Sequence, residues 1–359
     1  MRIGASRSLV VVTSLYLRFG RGRGPPAVES EEPFGQHDEA RWRTMKNDFL
    51  FPERVSARLS IVLVAATLVA LPASGCSGKS SSEATTSTET EPETTTERLI
   101  SREIAAEDFD VSLFDDSSTT IDNEWFPLKP GTRWVWKGST EEDEGRVPHS
   151  IVFTITDLTK EINGVRTVVG WDRDFSDGEL VETELIFLAQ DTQGNIWHLG
   201  QYSETHEEGE FVGGSAWIAG LEGAKPGIWV KADPQVGQPA YSMGFAPPPF
   251  YWDDYAKTFK MGQRTCVPAG CFEDVLVTDE FEPGKPGAHQ LKYYARGVGN
   301  IRTGWRGEDA DREVLVLTRV AELSPAGLAK ARSEALKLES RAYTYGRTPP
   351  AEPLDGENP

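Results

Sequence analysis

Alternation of apolar and polar residues, broken at short intervals by turn signals, constrains this chain more than any other feature. In "HSIVFTITDL" (149–158), Ile151, Phe153 and Ile155 fall on one face of an extended strand, and the residues between them fall on the other. Asn163-Gly164 follows, a dipeptide typical of a two-residue hairpin turn, and then the next such run, "RTVVGWDRDF" (166–175). The sequence therefore predicts strands joined by tight hairpins.

The same pattern recurs along the chain, and nothing in it alternates strands with helices as a parallel sheet would require. Only one helix is indicated: Ser324 is a good N-cap, Pro325 suits the first helical position, and apolar residues follow at three- and four-residue intervals. We therefore expect a mainly β fold, an antiparallel meander forming a curled half-barrel or barrel-like sheet, with one C-terminal helix. It should occupy residues 98–345 as a single domain.

A short apolar run, "SIVLVAATLVAL" (60–71), precedes "PASGC", which ends at Cys76. A membrane-spanning helix needs about 20 apolar residues, so the run fits an export signal better than a transmembrane anchor. Small residues directly before a cysteine resemble a bacterial lipobox, in which the thiol is acylated and becomes the mature N-terminus. The alternatives are an ordinary secretory signal and a buried core helix.

The regions around this signal complete the predicted organisation. Residues 1–75 would be an upstream extension plus the lipoprotein signal peptide, with the start codon at Met1 or Met45. Residues 76–97 are mostly Ser, Thr and Glu and are predicted to be a disordered tether, as residues 346–359 are predicted to be a disordered tail. The domain would then be lipid-anchored at the extracytoplasmic face of the cell membrane, with the acyl chains as its membrane partner.

Charge and cysteine content narrow the function further. A net charge of −19 argues against nucleic acid as a partner and against electrostatic docking to anionic lipid. Cys266 and Cys271 flank a short Pro- and Gly-containing turn, which predicts a disulfide in an oxidising compartment. A metal site is the alternative for this pair, but no His or further Cys flanks it.

Motifs that would carry catalysis or hold a cofactor are absent from the sequence, so we predict no catalytic residue, metal or cofactor. "DRDFSDGELVETE" (172–184) matches the first three ligand positions of a calcium loop. However, Asp177 stands where the loop needs Gly, and Thr183 stands where it needs Glu. A hairpin turned at Asp177-Gly178, with its acidic residues facing solvent, is the better interpretation.

Residues 233–257 fit neither strand nor helix well and are predicted to form a long functional loop. The candidate ligand-binding residues in it are Phe250, Tyr251, Trp252, Asp253, Asp254 and Tyr255. Aromatic rings beside carboxylates suit a sugar or a cationic ligand. The alternative is a proline-rich loop held in place by its own aromatic residues.

Several stretches together carry a resemblance. They are "NEWFPLKPGTRWVWKG" (123–138), "AQDTQGNIWHLG" (189–200), "GSAWIAGLEGAKPGIWV" (214–230) and "VPAGCFEDVLVTDEFEPGKPGAHQLKYYARGVGNIR" (267–302). With them the chain resembles a family of uncharacterised exported bacterial proteins common in actinobacteria. The resemblance implies an antiparallel β domain similar to periplasmic lipoprotein-carrier folds, and it implies no catalytic residues.

Three functions compete on this basis. The first is a non-catalytic binding or carrier lipoprotein for a lipid or other apolar ligand. The second is a structural or interaction lipoprotein of the cell envelope without a small-molecule ligand. The third is a hydrolase that uses the acidic pair at Asp253 and Asp254. The sequence leaves the oligomeric state open.

Overall fold

A computed structural model describes residues 104–105, 109–143, 145–248, 250–342 and 348–354. The predicted signal, the lipidation site Cys76 and the tether 76–97 lie outside the described residues. The strands are β1 (Ile104–Ala105), β2 (Thr132–Glu142), β3 (Gly145–Ile162), β4 (Val165–Ser176), β5 (Glu179–Gln190), β6 (Ile196–Glu207), β7 (Glu210–Ile218), β8 (Lys225–Val230), β9 (Ala240–Ala246), β10 (Trp252–Val267), β11 (Gly270–Phe281), β12 (Ala288–Ala295), β13 (Gly299–Gly307), β14 (Val314–Glu322) and β15 (Glu352–Pro353). One helix, α1, spans Pro325–Ala342.

Twelve of these strands close into an antiparallel barrel in the order β9, β10, β11, β12, β13, β14, β2, β3, β4, β5, β6, β8 and back to β9. The predicted mainly β, barrel-like antiparallel fold with one C-terminal helix is confirmed. Closure depends on the short strand β8, which pairs with β6 through Ile196–His198 and with β9 through Gly244 and Phe245. Beyond that point β7 continues beside β6 as the last strand of the path.

Tight turns at glycine pairs set the register of the wall. Asn163-Gly164 and Asp177-Gly178 both adopt positive φ at both residues, 50° and 78° for the first pair and 50° and 88° for the second. This is the backbone of the two-residue hairpin turn that matches strand twist. The predicted hairpin at Asp177-Gly178 is therefore confirmed, and it joins β4 to β5.

One half of the barrel interior, called the apolar half below, is filled by hydrophobic side chains. The Trp134 ring lies 5.5 Å from that of Phe126 and 6.0 Å from that of Phe153, between ring centroids. Phe126 belongs to the segment before β2 and also packs on Tyr294 from the opposite wall. Side chains from strands all around the barrel join this cluster, so it marks the interior face of the wall.

Helix α1 packs on the outside of the wall formed by β3, β5 and β7. Its N-cap is Ser324, whose hydroxyl accepts a hydrogen bond from the Gly327 amide, as predicted. Ala331, Ala335 and Leu338 bury the apolar stripe of the helix against the wall. No helix in the described residues is both long and apolar enough to cross a membrane.

Two ion pairs fasten α1 to the barrel. The Lys160 ammonium of β3 lies 2.6 Å from a carboxylate oxygen of Glu339, and both residues are buried. Arg341, in the last turn of α1, donates two hydrogen bonds to the carboxylate of Glu204, which is fully buried on the outer face of β6. Pairs as enclosed as Lys160–Glu339 fix the position of a helix because breaking one leaves an unpaired buried charge.

Two further predictions meet the structure at the edges of the fold. Cys266 and Cys271 form the predicted disulfide across the β10–β11 hairpin, with their Cα atoms 4.0 Å apart. Within the segment expected to be a disordered tail, residues 348–354 instead lie along the barrel, where Glu352 pairs with Thr159 and Pro353 with Leu158. Backbone hydrogen bonding to a strand is the physical reason for that difference.

Candidate functional site

Strand register places four carboxylates on the interior face of the barrel. Residues directly opposite each other on paired strands share a face. Trp134 of the core is opposite Phe153, which is opposite Asp172, which is opposite Glu184. The next rung toward the hairpin turns runs in the same way from Trp136 through Ile151 and Asp174 to Glu182.

The opposite wall contributes polar groups to the same interior. Tyr294 marks the interior face of β12, so Lys292 and Gln290, two and four residues earlier, share that face. Gln290 is paired with Glu280 of β11, which is therefore interior as well. Glu280 is also near Asp254, since each lies within the electrostatic range of Lys292 or of the other.

Seven interior carboxylates thus define what we call the acidic half of the lumen: Asp172, Asp174, Glu182, Glu184, Asp254, Glu280 and Glu313. They are enclosed by the wall, yet the side chain of Asp174 keeps 21 % of its surface exposed and that of Glu313 keeps 11 %. Exposure inside a closed barrel means that space wide enough for water adjoins these groups. The apolar half, by contrast, is occupied by side chains.

Hydrogen bonds hold part of this cluster in place. The Glu184 carboxylate accepts bonds from the Gln201 amide and the Ser203 hydroxyl of β6. On the next rung, His149 Nε2 lies 2.9 Å from Glu313 Oε1 and 3.3 Å from Asp174 Oδ1. Gln290 donates to the other oxygen of Glu313 at 2.7 Å. The acidic groups are therefore fixed by strands from both walls.

Burial and mutual repulsion shift the ionisation of these carboxyl groups. Burial, reinforced by the charge of Glu184, raises the pKa of Asp172 to about 7. Burial raises the pKa values of Asp174 and Glu182 well above their ordinary range, because His149 only partly offsets the effect at Asp174 and Glu184 adds to it at Glu182. Burial also raises the pKa of Glu280 to about 7, against the opposing charge of Lys292.

His149 and Glu313 behave as an ion pair within the cluster. Burial lowers the pKa of His149, but the hydrogen bond to Glu313 and the charge of Asp174 outweigh it, so the net shift is upward. Burial raises the pKa of Glu313, but the same hydrogen bond reverses the shift and the net pKa is lowered. This pairing leaves the charges of the remaining carboxylates without a matching cation.

An aromatic layer separates the two halves of the lumen. The His198 ring lies 4.8 Å from Trp217, 4.9 Å from Trp229 and 5.0 Å from Trp252, measured between ring centroids. Burial lowers the pKa of His198 to about 3, so this imidazole is neutral. Trp252 in turn donates its indole N–H to Asp254, which joins the aromatic layer to the acidic half.

The predicted functional loop at 250–255 is wrong as a loop, because β10 begins at Trp252. Alternation along this strand turns Trp252 and Asp254 toward the lumen and turns Asp253 and Tyr255 outward, where the Tyr255 ring stacks on Phe281. Neighbouring carboxyls on opposite faces of a strand do not meet at one substrate. Asp253 and Asp254 therefore do not form the acidic pair that the hydrolase hypothesis needs.

The remaining two candidates lie in the connection before β10. Phe250 is buried against Trp217, whereas Tyr251 has a positive φ of 58° and is 54 % exposed. Burial raises the pKa of Asp254 to about 6, with the Trp252 hydrogen bond opposing the shift. Of the six predicted residues, Trp252 and Asp254 are the ones that the structure brings into the lumen.

The prediction that the acidic residues of the β4–β5 hairpin face solvent is also wrong. Asp172, Asp174, Glu182 and Glu184 face the lumen, and their neighbours Trp171 and Phe175 face outward. No group of three or more His, Cys, Asp or Glu in the described part of the chain has the geometry to hold a metal ion. The arrangement offers hydrogen-bond acceptors and negative charge to a ligand.

Comparisons with known proteins add two distant structural neighbours. No protein-family model matches the chain, and no curated protein matches it. A "putative exported protein" with a YmcC-like fold from Bacteroides fragilis aligns over 56 % of this chain and 100 % of its own, at 12 % identity and a TM-score of 0.35. A "putative lipoprotein" from Parabacteroides distasonis aligns over 55 % and 99 %, at 12 % identity and a TM-score of 0.31.

Proposed function

We propose that this protein is a lipid-anchored lipoprotein of the cell envelope whose barrel is a non-catalytic binding domain. Its ligand site is the acidic half of the lumen. One observation carries the proposal: a closed barrel encloses seven carboxylates that still adjoin space accessible to water. Enclosed ionisable groups with strongly shifted pKa values are typical of functional sites.

The location of the site follows from what fills each half. The apolar ligand favoured by the sequence would need an apolar cavity, but the side chains around Trp134, Phe153 and Tyr294 pack against one another there. Accessible surface remains on Asp174 and Glu313 instead. A ligand of this barrel is therefore expected to make polar contacts, with the tryptophan layer as the apolar floor of its site.

Membrane anchoring is supported by the apolar run at 60–71, the small residues after it and Cys76. The test is cell fractionation of a Cys76→Ser variant beside the wild type and a Cys266→Ser/Cys271→Ser control. We expect the wild type and the control in the membrane fraction and the Cys76→Ser protein outside it. Wild-type protein that stays in the soluble fraction would refute the anchor.

The binding function is tested by native purification of the full chain followed by mass spectrometry of its extract. A small molecule present in equimolar amount is the expected result. The Asp174→Asn/Glu182→Gln variant should lose it, because both substitutions remove acceptor charge from one rung of the lumen. A control with two exposed outer carboxylates neutralised, Glu273→Gln/Glu322→Gln, should retain it.

An extract without any bound molecule, from protein that is folded by circular dichroism, would contradict the binding function. The envelope-interaction alternative would then take its place, and cross-linking on intact cells would follow.

A further inference from the structure

We infer that the ligand of the acidic half is a small organic cation with two ammonium groups, an inference that rests on the proposed function. The first support is charge balance. Among the described residues that line the acidic half, Lys292 and His149 are the cationic partners of seven carboxylates. His149 is matched by Glu313, so most of the negative charge is left for a ligand to neutralise.

Unsatisfied polar atoms are the second, independent support. His149 is 5 % exposed, and its Nδ1 atom is buried without a hydrogen-bond partner among the described residues. The Oδ1 atom of Asp174, which faces His149, is likewise buried and without a hydrogen bond, because the Nε2–H of His149 points to Glu313. Buried acceptors without a donor cost free energy, which the N–H groups of a bound cation would recover.

The spacing of the carboxylates sets the separation of the two charges. Asp172 faces Glu184 across one rung, and Asp174 faces Glu182 across the next interior rung of the same two strands. Residues i and i+2 of a strand are about 7 Å apart. A short chain with an ammonium group at each end can therefore place one charge on each rung, with its methylene groups toward the tryptophan layer.

Binding of such a cation has a second signature, because it competes with protons. Burial and carboxylate repulsion hold protons on the lumen acids near neutral pH. A cation beside these groups stabilises their charged forms, so the protein must release protons when the cation binds. Titratable groups on every surrounding strand take part: His149 on β3, Asp172 and Asp174 on β4, Glu182 and Glu184 on β5, Asp254 on β10, Glu280 on β11, Lys292 on β12 and Glu313 before β14.

The test is isothermal titration calorimetry of the full chain in detergent, with 1,4-diaminobutane as the probe and 1-aminobutane as the matched monocation. We expect the diamine to bind at least about tenfold more tightly than the monoamine, because the second charge meets the second rung. Titration in two buffers of different ionisation enthalpy should show net proton release. No diamine binding, or equal affinity for both amines, overturns the inference without any variant.

Variants then locate the binding. Asp174→Asn/Glu182→Gln should weaken diamine binding about tenfold or more, while Glu273→Gln/Glu322→Gln, which removes equal charge from two exposed positions, should leave it unchanged. Equal losses in both variants would indicate non-specific charge attraction and overturn the inference. If the natural ligand proves neutral or anionic and is still lost from the lumen variant, the proposed binding function stands and the dication falls.

Discussion

Replacing Asp172 by Asn should make the protein more stable at pH 8 and leave its stability nearly unchanged at pH 4. The carboxyl lies on the lumen face opposite Glu184, and its burial with that neighbour raises its pKa to about 7. The ordinary value, 3.8, applies in the unfolded chain. Between these two values the folded protein binds more protons than the unfolded one, so stability falls as pH rises through the window.

The magnitude follows from the two pKa values. A pKa of about 7 against 3.8 corresponds to about 4 kcal/mol of folding free energy, lost once pH exceeds 7 and intact below 4. Because Glu184 would relax when Asp172 is neutralised, we expect a gain of about 2 to 4 kcal/mol at pH 8. The Arg173 amide that donates to Asp172 Oδ1 can donate equally to the Asn oxygen.

Urea unfolding followed by tryptophan fluorescence at pH 4 and pH 8 measures this directly. Glu210→Gln, at an exposed position on β7, is the control and should change stability little at either pH. A variant that is less stable than the wild type at pH 8, or equally shifted at both pH values, would refute the placement of Asp172 as a desolvated lumen carboxyl.

Two further stability predictions concern the attachments of the fold. Lys160→Met should lower the free energy of unfolding by about 3 to 5 kcal/mol, because it strands the buried Glu339 carboxylate, whereas Lys337→Met at an exposed helix position should cost less than about 1 kcal/mol. Similar losses in the two variants would contradict the buried pair. Cys266→Ser/Cys271→Ser should cost about 2 kcal/mol in urea unfolding, since the disulfide closes only a short loop. A loss of folding would show that the hairpin end is needed for the whole barrel.

Local chemistry made the architecture predictable. Asn163-Gly164 and Asp177-Gly178 dictate hairpins because both residues of each turn need positive φ, and Ser324-Pro325 dictates the helix start. Since each signal acts within a few residues, no tertiary contact was required to interpret it. The antiparallel sheet, the C-terminal helix and the disulfide all followed from such signals.

The lumen could not be predicted in the same way. A strand pattern such as Trp171, Asp172, Arg173, Asp174 shows that two faces differ, but it does not show which face is inside. The usual expectation puts carboxylates outside. Here the interior is polar near the hairpin turns, and part of the outer face is apolar because α1 covers it. Only the closure of β8 against β6 and β9 decides between the two faces.

The start of β10 was missed for a related reason. Pro247 and Pro248 stand just before it, and prolines with aromatic residues are typical of loops. Tertiary pairing overrides that local preference, since Trp252 is opposite Ala246 and Asp254 is opposite Gly244 in the sheet. Glycine at 244 matters because a side chain there would strike the Trp252 ring.

The most direct measurement of the central claim is a crystal structure of the full chain purified natively, without added ligand. The account predicts non-protein density in the acidic half, with polar atoms within hydrogen-bond distance of Asp174 and Glu182 and apolar atoms against Trp252. A lumen that holds ordered water alone, in protein purified under conditions that retain bound molecules, would contradict a binding function for this barrel.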